Sequence, residues 1–398
     1  MSVTSPSLSL SDPRPVPGSL MAVGALALLV LSLAFGLTVP AEGQVPAAVP
    51  RVWHHLSGGL AMGLALVAAA LALRPTGRRA TWVLVMASLL SAWLWLGLPP
   101  SRGEAPGAAG YWLGVVALAL LAMVSVQRCA QWPEAPAGTG TGVARLMDTW
   151  LAAAVFGLWV LVFWQLLTVA LDVPRVLLPA PSHIAQAIVD RYDLLWADFV
   201  QTVLKAVVVG WVLGCGLGFV VAIAIDRQPF LQRGLLPIAS LTSTVPLVGV
   251  APIAVMWFGF DWPSKAAVVV LMTFFPMLVS TLAGLKAADK LERELMHTYA
   301  ATYSQTLVNL RLPAAFPFVV GAMKVNATLA LIGAIVAEFF GSPTAGLGFR
   351  ISTEAARMNM SLVWGAIAVA AVTGSVAYAL LVRLERRVAF WHPSVRSR

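Results

Sequence analysis

Apolar residues gather in ten runs, at 19–40, 56–73, 82–98, 110–127, 148–171, 199–225, 234–258, 266–285, 315–340 and 361–382. Polar and charged residues fall mainly between them. A helix needs about 20 mostly apolar residues to cross a bilayer. The pattern predicts an all-α polytopic membrane protein of about ten spans, of which the third is short and the seventh is interrupted by prolines.

Composition narrows the class. Of 398 residues, 59% are hydrophobic and 11% charged, with a mean hydropathy of +0.85. Soluble domains carry roughly 25% charged residues, so a soluble enzyme, a disordered chain and a secreted disulfide scaffold are excluded. The lipid bilayer is the first partner implied. Cys129 and Cys215 are distant in sequence and imply neither a disulfide framework nor a metal site; no cofactor is expected.

Net charge is +9, but the basic residues are dispersed among short loops, so no nucleic-acid partner is expected. Sorting the loops by parity places 17 of the 26 Lys and Arg residues on one side. That side holds Arg74, Arg78, Arg79, Lys286, Lys290, Arg293 and the C-terminal arginines. Cytoplasmic loops carry this excess, which predicts cytoplasmic termini at both ends. The first run is longer than a signal-peptide core and reads as an uncleaved span.

The segment 131–142 (QWPEAPAGTGTG) reads as a flexible connector. Its glycines lack the GK[ST] ending of a phosphate loop. The expected organisation is a cytoplasmic tail (1–18), an accessory four-span region (19–127), a linker (128–147), a six-span part (148–390) and a cytoplasmic C-terminal tail (391–398). Adjacent His54 and His55 lie at a loop edge, where interfacial placement is favoured over metal binding.

The rear part is richer in signals. Prolines in Leu177–His183 end one helix, and Ser182 is placed to cap the next. Ile184 to Trp196 is amphipathic and is expected at the outer interface. Gly210, Gly214 and Gly218 recur every four residues, a stripe that lets helices approach closely.

The connection 286–317 (KAADKLERELMHTYAATYSQTLVNLRLPAAFP) is long for a helix–helix link. Leu291, Leu295, Tyr299 and Tyr303 recur at four-residue steps, predicting a short helix with one apolar face. Leu312-Pro313 should then break the helix. Such a face suits either the bilayer surface or a protein groove.

This loop resembles the EAA loop of type I permease subunits of ATP-binding-cassette importers. Glu294, Ala301, Thr302 and Leu312-Pro313-Ala314-Ala315 stand at corresponding places. The resemblance runs from Asp148 nearly to the end of the chain. It includes Leu177–His183, Pro246-Leu247, Pro252, Trp257-Phe258-Gly259, Gly333–Glu338 and Gly346-Leu347-Gly348. The front four spans lie outside it. The family's loop glycine is replaced by Ala300, which implies a milder turn, and Met296-His297 stand in place of its Ala-Arg pair.

The resemblance implies a permease, not an enzyme, in the inner (plasma) membrane. Its loop residues Glu294, Tyr299, Ala300, Ala301, Thr302, Tyr303, Leu312 and Pro313 would couple to an ATP-binding-cassette ATPase subunit dimer. A periplasmic or surface solute-binding protein would deliver the solute, and a second permease copy, identical or related, would complete the path. The sequence contains no GxxxxGK[ST], so ATP binding by that motif must come from a partner. The branch resembled handles nitrate, sulfonate, taurine and thiamine-pyrimidine precursors. Met296–Pro317 and Phe390–Arg396 look most like permeases for pyrimidine-type compounds or riboflavin.

Candidate residues for the path are Ser243, Thr244, Trp257, Lys324, Asn326, Thr328 and Glu338. Ionisable groups within spans are expensive and often functional. Lys324 falls near the midplane by residue count, sharing a face with Thr328 and Leu331. A structural contact between spans would account for them equally, and Trp257 also suits an interfacial anchor. The alternative of a secondary transporter driven without ATP would call for two matching halves; the four front and six rear spans show no such symmetry.

Overall fold

The computed structural model describes residues 19–35, 38–39, 56–73, 78–96, 105–106, 109–131, 142–228, 230, 234, 246–341 and 344–388. Among them lie thirteen helices: α1 (Ser19–Ala34), α2 (Leu56–Leu73), α3 (Arg78–Leu96), α4 (Ala109–Ala130), α5 (Gly142–Ala170), α6 (Pro181–Asp190), α7 (Tyr192–Arg227), α8 (Leu247–Phe258), α9 (Trp262–Lys286), α10 (Lys290–Thr298), α11 (Tyr303–Gly341), α12 (Leu347–Ala356) and α13 (Met360–Val388). A two-residue antiparallel ladder, β1 (Thr38–Val39) with β2 (Ala105–Pro106), is the one strand pairing among the described residues. Seven helices are long and apolar enough to cross a membrane, and α1, α2 and α8 are shorter apolar helices. Together these ten fall on the ten apolar runs.

The chain divides into two compact units, residues 1–182 and 183–398. In the first, α1–α4 pack through small residues, with Ala22, Ala25, Ala65, Ala69 and Ala117 buried alongside Leu29, Leu84, Leu118 and Leu121. Gly114 is required there, because a Cβ would stand 2.1 Å from the Trp95 ring. Buried Arg128 in α4 donates to the carbonyls of Leu71 and Ala72 at the end of α2 (3.0 and 2.5 Å). It supplies donors to the open C-terminal carbonyls of that helix. Helix α5, which the sequence reading groups with the rear part, packs on α3 and α4. Trp159 of α5 donates to Ser125 Oγ (3.1 Å).

In the second unit α9 lies between α7 and α11. The glycine stripe faces α9. A Cβ at Gly210, Gly214 or Gly218 would meet Val269 Cβ at 2.6 Å, Thr273 Oγ1 at 2.0 Å and Phe274 O at 2.5 Å respectively. Gly284 of α9 meets Ala315 of α11 in the same way, at 2.9 Å. These helices approach nearly backbone to backbone, as small-residue seams permit. Helix α13 packs on α11 and α12 around buried Leu347, Leu362 and Ala366.

Three expectations are corrected. Leu312-Pro313 does not break the helix: α11 is continuous from Tyr303 to Gly341, with π-helical winding over Leu307–Arg311. Wider winding just before Pro313 accommodates the missing N–H and the ring. Ser182 is not a cap, because α6 starts at Pro181; its Oγ accepts from Gln165 Nε2 (3.0 Å) and its N–H donates to Gln165 Oε1 (2.9 Å). The amphipathic stretch 184–196 is not one surface helix. It divides at Arg191, and its second half is the start of α7, which has π winding over Val200–Val207.

Candidate functional site

Helix α10 stands between two spans. Asp289 caps it, accepting from the Leu291 N–H (3.4 Å), and Lys290 pairs with Glu294 one turn on (3.7 Å). None of its residues is buried. Leu291, Leu295 and Tyr299 form an exposed apolar stripe, 73%, 56% and 77% accessible. Those exposures leave the face without cover from the described chain.

The turn after α10 is sharp, not mild. The Ala301 N–H reaches Met296 O (3.0 Å) and the Ala300 N–H reaches His297 O (2.9 Å), the paired bonds of a Schellman ending. Ala300 therefore sits at φ 54°, a left-handed conformation in which its Cβ is strained. The bonds that close the helix hold alanine where glycine would rest more easily. Thr302 then starts α11 with a capping box: its N–H donates to Gln305 Oε1 (2.8 Å) and its Oγ1 accepts from the Gln305 N–H (3.4 Å).

Below this turn lies an ion-pair cluster that sequence reasoning missed. Arg311 grips Asp226 through both terminal nitrogens (2.7 Å each), and its Nε donates to Leu285 O (3.0 Å). Tyr303 Oη donates to Asp226 Oδ2 (2.9 Å), and the Arg227 guanidinium stands 5.8 Å above the Tyr303 ring. One guanidinium thus joins the ends of α7 and α9 to the first turns of α11. The available signal was an acidic residue just past the end of an apolar run together with a lone arginine in LVNLRLP.

The path candidates separate. Lys324 pairs with Glu385 of α13 (2.7 Å). Asn326 is fully buried, its Nδ2 donating to Thr273 O (2.8 Å) beside Cys215 Sγ. Thr328 is exposed on α11, and Trp257 is 75% accessible on α8. Glu338 is buried at the far end of α11. Ser243 and Thr244 lie outside the described residues.

Glu338 belongs to a second cluster, at the end of the unit opposite α10. The first N–H groups of α12 have no partners in their own helix, and three side chains from elsewhere satisfy them. Gly346 N donates to Asp198 Oδ1 (2.8 Å), Leu347 N to Thr202 Oγ1 (2.8 Å) and Gly348 N to Glu338 Oε2 (2.7 Å). Thr202 Oγ1 donates onward to Glu338 Oε1 (2.7 Å), and Arg350 pairs with Asp198 (2.7 Å). Carboxylates at a helix N-terminus also oppose its positive dipole end. Gly346 adopts φ 141°, and a Cβ there would fall 2.6 Å from the Glu338 carboxyl. At Gly348 a Cβ would lie 2.2 Å from Ile335 O. The GLG sequence is thus dictated by this contact.

Nearby, Asp261 stands at the N-cap position of α9 without a side-chain capping bond. The Gln201 amide donating to its Oδ1 (2.6 Å), helped by the Trp262 N–H, holds its carboxyl below the usual range. Buried Lys265 donates to the carbonyls of Phe260, Asp261 and Gly341, tying the α8–α9 turn to the end of α11.

Residues 214–390 match the family of binding-protein-dependent transport system inner membrane components. The formylaminopyrimidine transport permease protein of Halalkalibacterium halodurans is 30% identical over 61% of this chain and 96% of its own length. The chain belongs to this family of importer permeases. It is a type I ATP-binding-cassette importer permease by that membership. The permease is also 29% identical to the riboflavin transport system permease protein of Chloroflexus aurantiacus, over 59% of this chain and 87% of that one. With the taurine transport system permease protein of Escherichia coli it shares 26% over the same fractions. Both clusters include residues within the matched segment, whereas α1–α5 precede it.

Proposed function

We propose that this permease forms, with a second identical or related copy, the membrane path of an importer driven by a separate pair of ATPase subunits. The observation that carries the reading is the uncovered stripe Leu291–Leu295–Tyr299 on a helix with no buried residue. Burying the remaining exposed part of Leu291 and Leu295 in a partner's groove would contribute about 1–2 kcal/mol each. Glu294, Ala301, Thr302 and Tyr303 flank the contact, and Leu312 and Pro313 continue it into α11. Residues 148–390 are taken as the permease domain, with α10 and both termini in the cytoplasm and the whole in the inner membrane. An external solute-binding protein supplies the solute on the opposite side.

The solute class is a small polar organic compound, pyrimidine-type or riboflavin first and a sulfonate, taurine or nitrate next. The pyrimidine-type, riboflavin and taurine choices follow the names of the relatives above; sulfonate and nitrate follow the sequence resemblance. Ser243, Thr244, Trp257, Lys324, Asn326, Thr328 and Glu338 remain the proposed path residues. The test is co-purification in mild detergent with a co-expressed ATP-binding-cassette ATPase subunit, followed by ATP-driven uptake of formylaminopyrimidine, riboflavin and taurine into proteoliposomes. A permease that purifies without any ATPase, or moves these solutes equally well without ATP, would overturn the reading.

A further inference from the structure

The exposed stripe explains where a motor would push, but not how the push leaves the loop. Helix α10 buries nothing of its own. It is joined to the unit by residues 287–289 on one side and by the 299–302 turn on the other. A displacement passing through such turns alone would reach α9 and α11 directly, and the end of α7 beyond Gly218, where the glycine seam stops, would be held to them by nothing in that seam. The ion-pair cluster changes this.

We propose that Asp226 and Arg311 are positioning residues that lock the ends of α7, α9 and α11 into one body, so that movement of α10 is shared by all three spans. The inference rests on the proposed coupling to an ATPase. The geometry supports it in three ways. Arg311 meets Asp226 as a planar fork, two parallel bonds at 2.7 Å. That bidentate arrangement fixes orientation as well as distance. Its third nitrogen holds Leu285 O, in the last turn of α9. Tyr303, the first residue of α11, adds a third bond to the same carboxylate. Both charged side chains are largely shielded, 15% and 8% accessible, which weakens solvent screening. The π-helical turn at Leu307–Arg311 widens the helix at the point where the arginine leaves it. A lysine at 311 would keep the charge and lose the fork.

The experiment uses the assembled complex with its ATPase. Spin labels are placed at Gln228→Cys, beyond the end of α7, and Lys290→Cys, at the start of α10; both positions are exposed. Their separation is measured without nucleotide and with magnesium, ATP and vanadate. In the otherwise native permease the separation should change by less than about 2 Å, the scale of small helix shifts, while the complex as a whole changes state. In Arg311→Lys the separation should change by more than that, because the loop moves and the end of α7 beyond the glycine seam does not follow. A large change in the native chain overturns the proposal, as does an Arg311→Lys complex that behaves like the native one. Should Arg311→Lys fail to assemble, the native measurement and Asp226→Asn decide the matter on the same criterion. If no ATPase associates with the native permease, it is the coupling function that fails, and that outcome is read at purification before any distance is measured.

Discussion

Ala300 offers a quantitative test of the loop geometry. Its φ of 54° is imposed by two hydrogen bonds that close α10, from the Ala300 and Ala301 N–H groups. Holding an L-residue left-handed costs roughly 1–2 kcal/mol. Replacing it with glycine removes that strain but adds unfolded-chain entropy of roughly 0.5–1 kcal/mol. The net expectation for Ala300→Gly is a closed turn favoured by about 0.5–1 kcal/mol, or about two- to fivefold in the opening equilibrium. Valine, branched at Cβ, should shift it the other way. The assay is amide hydrogen exchange at residues 300 and 301 of the permease in nanodiscs. Protection should rise about two- to fivefold in the glycine variant by the same conversion and fall in the valine variant. Lower protection with glycine, or no change with valine, would refute the left-handed turn.

Other perturbations address the remaining contacts. Gly214→Leu places a side chain where even a Cβ meets Thr273 Oγ1 at 2.0 Å; overpacking costs about 1–3 kcal/mol or more, and thermal unfolding in detergent should move down accordingly. Glu338→Leu strips the partners from Thr202 and from the Gly348 N–H, so increased proteolysis at 344–348 is expected with α7 and α11 still inserted. Tyr303→Asp or Ala301→Asp should abolish ATP-driven uptake while membrane levels persist; undiminished uptake would remove the loop from the mechanism. Lys324→Ala leaves Glu385 unpaired, so Lys324→Ala and Glu385→Ala should be non-additive in a double-mutant cycle of complex stability. Strict additivity would show that the pair contributes nothing.

The legible part of the fold was the part governed by length and period. Among the described residues, seven of the ten apolar runs hold helices long enough to cross a bilayer and three hold shorter apolar helices, because spanning a bilayer leaves a sequence little choice. The glycine stripe was legible for a similar reason, since no other residue fits where two backbones nearly touch. The loop helix showed itself through four-residue spacing, but that spacing ran on to Tyr303, which the turn at Ala300 places in α11, bonded to Asp226 and not on the exposed stripe. The ion pairs were not legible: Asp226 and Arg311 are 85 residues apart, and Asp198 and Arg350 are 152 apart. Nothing in local pattern says which arginine faces which carboxylate. The proline rule misled at Leu312-Pro313 because it treats helices as purely α, and π winding relieves the same clash. Lys324 was read as a midplane charge by counting from residue 315. Its partner Glu385 lies three residues from the end of the long helix α13, so the neighbouring helix supplies the countercharge that counting along one helix missed.

The two clusters acquire a joint meaning from the helix that connects them. Arg311 and Glu338 lie on one continuous helix, 27 residues apart, or roughly 40 Å at 1.5 Å per residue. Each fixes an end of α11 to α7: Arg311 through Asp226, and Glu338 through Thr202. Between them the glycine seam presses α7 onto α9, and α9 packs along α11. A helix pinned at both ends and packed along its length cannot stretch, and a close-packed interface resists continuous deformation. Under the proposed coupling, a displacement entering at the α10 end should therefore reach the Gly346–Gly348 turn with little loss. If instead the π-helical turns at Val200–Val207 and Leu307–Arg311 slipped, the ends would move independently. The two spans would then change register while the seam stayed fixed. Amide exchange within those two turns, compared with and without nucleotide in the assembled complex, separates a rigid strut from a slipping one.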